Sequence, residues 1–361
     1  MLRSAWKKLD YYSLIRVTVA VLCSFALASC IIFIFSDTPV AAISKLFFGP
    51  LTSQRNFFIV IQTMIPLIFT ALAINVIFKS GLFSMAADGA FYTGAVIAAF
   101  IGIKIQLPNI IHQFVIILVA ALVGGIITSI PAIIREKTGA NEFVTSMMLN
   151  SVFFFMGIYV VNTYLLDKAA GYASVRFNET ASLGNLVKGT QIHYGFLIMI
   201  AVLIVVYILI EKTKTGYEIK LVGSNKNFAI YSGINVGRTI IVSQLIGGIV
   251  AGIGGSVEMI GMYKRFTWNT PVTYVWDGIL INLLSSSKPI FIPLAALFIS
   301  YIRVGADIMS RATHVDNGIV AIIQAVIIFL VSAERFMYRL KKKKEEKQAL
   351  LTQQSIEGVA N

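Results

Sequence analysis

Several chemistry-bearing signatures are missing from this chain. No GxxxxGK[ST] phosphate loop occurs, so the polypeptide is not expected to hydrolyse ATP by itself. HExxH and CxxC are absent, and the three histidines, His112, His193 and His314, are scattered near the ends of apolar runs. Neither a metal centre nor an intramembrane protease is expected from that distribution. There are two cysteines, Cys23 and Cys30. They lie seven residues apart in one apolar run, about 10 Å along a helix, which is too far for a disulfide. Charge is scarce as well: 13% of residues are charged, against about 25% in soluble domains. No polar stretch exceeds roughly 30 residues, which leaves no soluble domain of folding size.

What remains is hydrophobic, 57% of 361 residues, and it comes in long runs. A run of 18 or more apolar residues is long enough to cross the roughly 30 Å hydrocarbon core as a helix. Ten spans are expected, near 17–35, 57–78, 82–103, 112–134, 147–165, 194–211, 239–260, 272–287, 289–307 and 318–336. The eighth and ninth are interrupted by "SSSKP", which also admits a re-entrant pair. The fold class is all-α: a polytopic helical bundle in the lipid bilayer with two weakly related halves. A cytoplasmic N-terminal segment 1–16 precedes a transmembrane domain 17–338, and a charged tail 339–361 follows it. "LASC" at 27–30 imitates a lipoprotein cleavage site, but the apolar run continues through "IIFIF" where a released lipoprotein would turn polar.

The formal net charge is +13. Its Lys and Arg concentrate in the N-terminal segment, in "REK" at 135–137, in residues 212–238 and in the tail. The positive-inside tendency places all four in the cytoplasm, with both termini inside. Because the basic residues fall in segments between apolar runs, their charge is accounted for by membrane topology and no nucleic-acid partner is expected.

Polar residues inside apolar runs are costly in lipid and face a bundle interior or an aqueous cavity. Asp88, in "GLFSMAADGAFYTGA", sits about seven residues into the 82–103 run. It either lines a path or is an internal structural carboxylate. Asp277, in "VTYVWDGILINLL", repeats the Asp-Gly pair in the second half, where paired glycine-interrupted segments point to a central solute site. The neighbouring Trp276 is either a ring-stacking surface or an interface anchor. Glu258, Asn150, Asn282 and Gln324 fit interhelical hydrogen bonding. "GGIVAGIGG" at 247–255 reads as a close-packing face, and Arg303 with Asp307 as an i,i+4 ion pair.

The basic segment 212–238 contains "VGSNKNFAIYSGI". Ser224 or Asn225 caps a short helix and Gly233 supplies a left-handed residue to end it. Phe228 and Tyr231 share its face, with Ala229 and Ile230 alongside. Such a helix suits a groove on a partner or the lipid surface.

The string "GYEIKLVGSNKNFAIYSGINVGRTII" resembles the cytoplasmic coupling segment of the nucleoside and simple-sugar permease family of bacterial ABC importers. "GGIVAGIGGSVEMIGMYKRF", "NEFVTSMMLN", "WDGILINLL" and "IIQAVIIFLVSAE" are similar to further motifs of that family. "GLFSMAADGAFYTGA" resembles its "GLFNIGAEGQ" segment, with Asp88, Ala86 and Ala90 as departures. The resemblance covers about 75–335. It implies a half-transporter that holds no cofactor or metal of its own. A second permease subunit, two ATP-binding subunits and an extracellular solute-binding lipoprotein would complete it. Gly223, Asn225, Phe228, Ala229, Tyr231 and Gly233 would carry the ATPase contact. Asp88, Phe91, Asn150, Trp276, Asp277 and Asn282 would line the solute path, and Glu142, Glu258 and Gln324 would be structural polar groups. Nucleosides are the expected solute. Ribose- or galactose-like sugars, and an ion-coupled secondary carrier using Asp88 or Asp277, are the alternatives.

Overall fold

A computed structural model describes residues 38–313 except 170, 172 and 188, with a few isolated residues on either side. The expected first and tenth spans, Gln324, His314 and both terminal segments lie outside the described residues. Within them the chain is helical. Its only β features there are the isolated bridges Leu166–Ser174 and Asn185–His193.

The helices are α1 (Pro39–Phe48), α2 (Gln54–Lys79), α3 (Ala86–Lys104), α4 (Asn109–Thr138), α5 (Glu142–Val160, continued by a π turn to Leu165), α6 (Gly195–Lys212), α7 (Lys214–Ser224), α8 (Lys226–Tyr231), α9 (Val236–Met262), α10 (Tyr274–Leu284) and α11 (Ile292–Thr313). Among the described residues, seven segments are long and apolar enough to cross a membrane: α2 to α6, α9, and Pro289–Thr313. The expected eighth span, 272–287, is instead the 11-residue α10. At 1.5 Å per residue it measures about 16 Å, half of a bilayer core. Apolar composition alone suggested a full span there. The backbone breaks it on both sides, through non-helical residues before Tyr274 and through Ser286 and Ser287 at φ 55° and 58°.

Residues 53–300 form one compact unit. Helix α9 is its centre because its sequence supplies glycine on several faces. Toward α4, Gly248 and Gly252 meet Gly124, Thr128 and Ala120, and a Cβ on either α9 glycine would run into backbone carbonyl oxygens of α4. Thr128 Oγ1 donates to Gln244 O at 2.7 Å across the same seam. Toward α2, Gly254 lies against Phe69, Gly247 against Ile77, and Ser243 Oγ donates to Val76 O at 2.8 Å. Toward α3, Gly255 rests on the backbone of Phe91. Without a hydrophobic driving force between helices in lipid, such backbone approach and interhelical hydrogen bonding hold the bundle. The "GGIVAGIGG" run is therefore the close-packing face expected of it.

The peripheral helices differ in kind. The hydrophobic windows of α3 and α9 are 78% and 67% buried, while that of α5 is 17% buried. On α4 the exposed residues Ile110, Phe114, Leu118, Leu122 and Ile126 recur every fourth position as a purely apolar lipid face.

Between α5 and α6 the chain forms a loop that packs on the ends of α3 and α9. Phe177 N donates to Lys264 O, and Asn178 N to Gly102 O. Arg265 pairs with Asp167 at 2.8 Å, and the hydrogen bond from the Ala169 backbone followed by this guanidinium holds the Asp167 carboxyl below its usual range. His193 closes the loop. Its ring is fully buried against Gly195 and Gly261, and Nδ1 accepts from Gly195 N at 3.1 Å. Burial pushes this imidazole down from 6.5 to about 4. The folded state thus binds fewer protons than the unfolded chain between those values, so stability is full above about 6.5 and is lost as pH falls toward 4. Thermal unfolding in detergent should show this acid loss, and His193→Asn should flatten it.

The smaller unit is described at residues 38–52 and 301–313. In it Tyr301 Oη donates to Phe47 O, Gly305 approaches the backbone of Leu46, and Gly49 packs on Ile308.

Candidate functional site

Two regions gather the residues singled out by sequence. The first is where α3, α9 and α10 meet. The turn 80–85, with Gly81 at φ +81°, delays the start of α3 to Ala86. Asp88 therefore lies in the first helical turn rather than two turns into a span, as the apolar run from 82 implied. Asp277 likewise falls in the first turn of α10. Both carboxylates sit where a helix N-terminus favours negative charge. Asp88 is half-buried with no hydrogen-bond partner on Oδ1, and Asp277 is 6% exposed.

The glycine of each Asp-Gly pair has a packing reason. Gly89 faces Asn150 on α5: its N–H donates to Asn150 Oδ1 at 3.0 Å, and Asn150 Nδ2 donates to Met85 O at 2.8 Å. Asn150 thus clamps the start of α3. A Cβ on Gly278 would lie 2.8 Å from Thr70 C on α2. Below that contact Asn282 Oδ1 accepts from Asn75 Nδ2 at 2.7 Å, both residues buried. Thr70 is sixteen residues along α2, about 24 Å from its Gln54 end. Residues 263–273 consequently carry non-helical backbone deep beside the bundle, a conformation tolerated in membranes only where protein covers it.

That segment delivers Trp268, which sequence reasoning passed over. Trp268 is 7% exposed and its ring stacks on Phe91 (6.0 Å, 10°) and contacts Tyr274 at 6.2 Å. Phe91 is fully buried and also contacts Tyr274 at 5.5 Å. Tyr274 Oη reaches Glu258 Oε1 at 3.5 Å, while Glu258 Oε2 is buried without a hydrogen-bond partner. Trp276, by contrast, is 49% exposed. The structure brings Phe91, Glu258 and the start of α10 together. It places Asn150 on the α5 side and Asn282 further along α10. The sequence signal for Trp268 was "RFTWNTPVTY", a stretch too polar to span and too aromatic for an ordinary loop.

A second polar cluster lies at the start of α5. Asn141 caps that helix through Phe143 N at 3.0 Å. Buried Glu142 accepts from Gln244 Nε2 at 2.6 Å and lies 3.7 Å from Arg135. Gln244 and Asn75 are partners that sequence reasoning did not name. Among the described residues no group of three or more His, Cys, Asp or Glu is placed to hold a metal ion.

The second region is the segment 213–235. Asn225 Oδ1 accepts from Phe228 N at 3.0 Å and caps α8, and Gly233 at φ +76° ends it with open space around its Cα. Glycine is needed there for the left-handed backbone alone. Ala229 is fully buried in a cluster with Ala132, Val222, Val236 and Ile240. On the opposite face Phe228 and Ile230 are each 54% exposed and Tyr231 is 90% exposed. Gly223 sits in backbone contact with the turn after α2. The helix therefore docks by one face and offers an aromatic knob on the other.

Residues 56–332 match the family described as branched-chain amino acid transport system / permease component. The chain belongs to this permease family. Among the permease's relatives is the glucose ABC transporter permease protein TsgB13 of Haloferax volcanii, 30% identical over 330 residues, which cover 88% of this chain and 87% of the relative. The nucleoside ABC transporter permease protein NupB of Lactococcus lactis is 29% identical over 88% of this chain and 90% of its own length. The guanosine ABC transporter permease protein NupP of Bacillus subtilis is 28% identical over 78% and 84% respectively. The class expected from the coupling-segment motifs, an ABC importer permease, is the class of these relatives.

Proposed function

We propose that this permease forms half of the translocation path of a nucleoside importer. The observation that carries the solute class is the buried aromatic set Phe91, Trp268 and Tyr274 beside the unpaired oxygen of Glu258. Stacked rings suit a nucleobase, and a carboxylate oxygen suits ribose hydroxyls or a base N–H. The names of two relatives, nucleoside and guanosine permeases, support the same class. In this conformation the rings close on one another, so solute reaches them in another access state.

In this reading the permease crosses the membrane about ten times, with both termini cytoplasmic and two loosely related halves, each marked by an Asp-Gly helix start. A second permease copy or a paralogue faces it. The exposed side of α5 supports that arrangement: Met147, Met148, Ser151, Phe155 and Tyr159 mix polar, sulfur and aromatic chemistry, whereas the α4 face of Ile110, Phe114, Leu118, Leu122 and Ile126 carries no polar group. ATP-binding subunits grip α8, and a solute-binding lipoprotein delivers solute from outside.

Uptake of labelled guanosine by membranes holding the whole transporter tests the proposal. Unlabelled uridine or adenosine should compete and ribose should not. Trp268→Ala should weaken apparent affinity by roughly tenfold, as loss of one base stack does. A simple-sugar path, which the glucose relative favours, predicts the reverse competition.

A further inference from the structure

Helix α8 is too short to move the bundle unless something stiff joins it to the spans. The structure contains one stiff contact between them. Gly223, at the end of α7, lies backbone to backbone against the turn after α2. A Cβ on it would run into Lys79 O and come within 2.9 Å of Gly81 N, and a Cβ on Gly81 would lie 2.9 Å from Gly223 Cα. No side chain intervenes, so neither segment can shift along this contact without moving the other. Glu211 at the end of α6 spans the same place, with Oε1 3.5 Å from Lys79 Nζ and Oε2 2.9 Å from Lys220 Nζ. The hydrophobic cluster of Val222 and Ala229 takes in Leu82 from the turn itself. Three residues later Met85 N donates to Ser146 Oγ at 3.0 Å. Asp88 then follows in the first turn of α3.

We propose that the Gly223–Gly81 contact, fastened by Glu211 between Lys79 and Lys220, is the joint that passes motion of α8 to the start of α3 and so to Asp88. Gly223 and Glu211 are thus positioning residues for transport, acting through the turn after α2. A rigid backbone contact with ion-pair fastening transmits displacement, whereas a side-chain contact would absorb it by rotamer change. The proposal rests on the importer reading above.

The test is the number of solute molecules moved per ATP in liposomes containing the complete transporter, using whichever solute the unaltered complex carries. Gly223→Ala wedges the joint apart and Glu211→Gln unfastens it. Each should lower the transported-solute-to-ATP ratio of the assembled complex by about five-fold or more, the lower end of typical coupling between sites. Glu211→Asp should restore part of the ratio. A merely structural role would lower the amount of assembled complex and leave the ratio intact. If Gly223→Ala fails to assemble, Glu211→Gln decides alone, since Glu211 is one-third exposed. Wild-type ratios in the assembled variants would overturn the joint. Absence of ATP-dependent uptake by the unaltered complex would instead overturn the importer reading.

Discussion

Replacing Phe228 and Tyr231 together by alanine is expected to abolish transport while leaving the membrane domain folded. Both side chains point away from the bundle, at 54% and 90% exposure, and α8 keeps its cap at Asn225 and its stop at Gly233 in the double variant. Exposed substitutions of this kind shift stability by about 0.5 kcal/mol or less. An aromatic anchor at the centre of a protein interface contributes about 2 kcal/mol or more, roughly thirty-fold in affinity for each ring. Co-purification of the ATP-binding subunits from detergent should therefore fail, and uptake should fall to background. The converse substitution on the same helix is Ala229→Asp. It buries a charge among Val222, Val236 and Ile240 and should lower the melting temperature before any effect on partners is seen. If the aromatic double variant retained its partners and its uptake rate, α8 would not be the contact.

Replacing Gly248 by leucine is expected to prevent folding altogether. The added side chain would meet Thr128 and the Gly124 carbonyl, both fixed in the body of α4. Relief requires moving one spanning helix off another, and with it the Thr128–Gln244 hydrogen bond and the neighbouring Gly252 contact. Overpacking of a close-packed core, through forced rotamers and backbone shifts, costs about 1–3 kcal/mol and occasionally more. A loss above about 4 kcal/mol, the exceptional range for one substitution, is expected here. Gel filtration of membrane extracts should give aggregate or no protein. Gly139→Ala provides the comparison. Its Cβ would meet open space, and only the left-handed φ of 73° opposes it, at about 1–2 kcal/mol. A monodisperse Gly248→Leu protein would show that the α4–α9 seam is looser than its geometry.

The short helix α8 was legible because its signals are local: a capping Asn225, a glycine that can take positive φ, and aromatic residues three apart. The glycine run of α9 was legible for the same reason. The place of Asp88 in the first turn of its helix was not legible because the run from Gly81 stays apolar while its backbone turns, and hydropathy does not register a left-handed glycine. Trp268 was invisible because its burial depends on residues 263–273 folding down beside α2 and α3. Hydropathy assigns such a polar, proline-bearing stretch to the surface.

Sequence alone determined the helical membrane class, most of the spans and the punctuation of the coupling segment, since apolar length, caps and turn residues act within a few residues of chain. Only the tertiary structure decided which buried polar groups meet. Glu142 finds Gln244 across 102 residues, and Asn75 finds Asn282 across 207. A polar side chain in an apolar run announces that it needs a partner but carries no information about where that partner is. The identity of the partner is fixed when glycine-lined helices close to backbone contact.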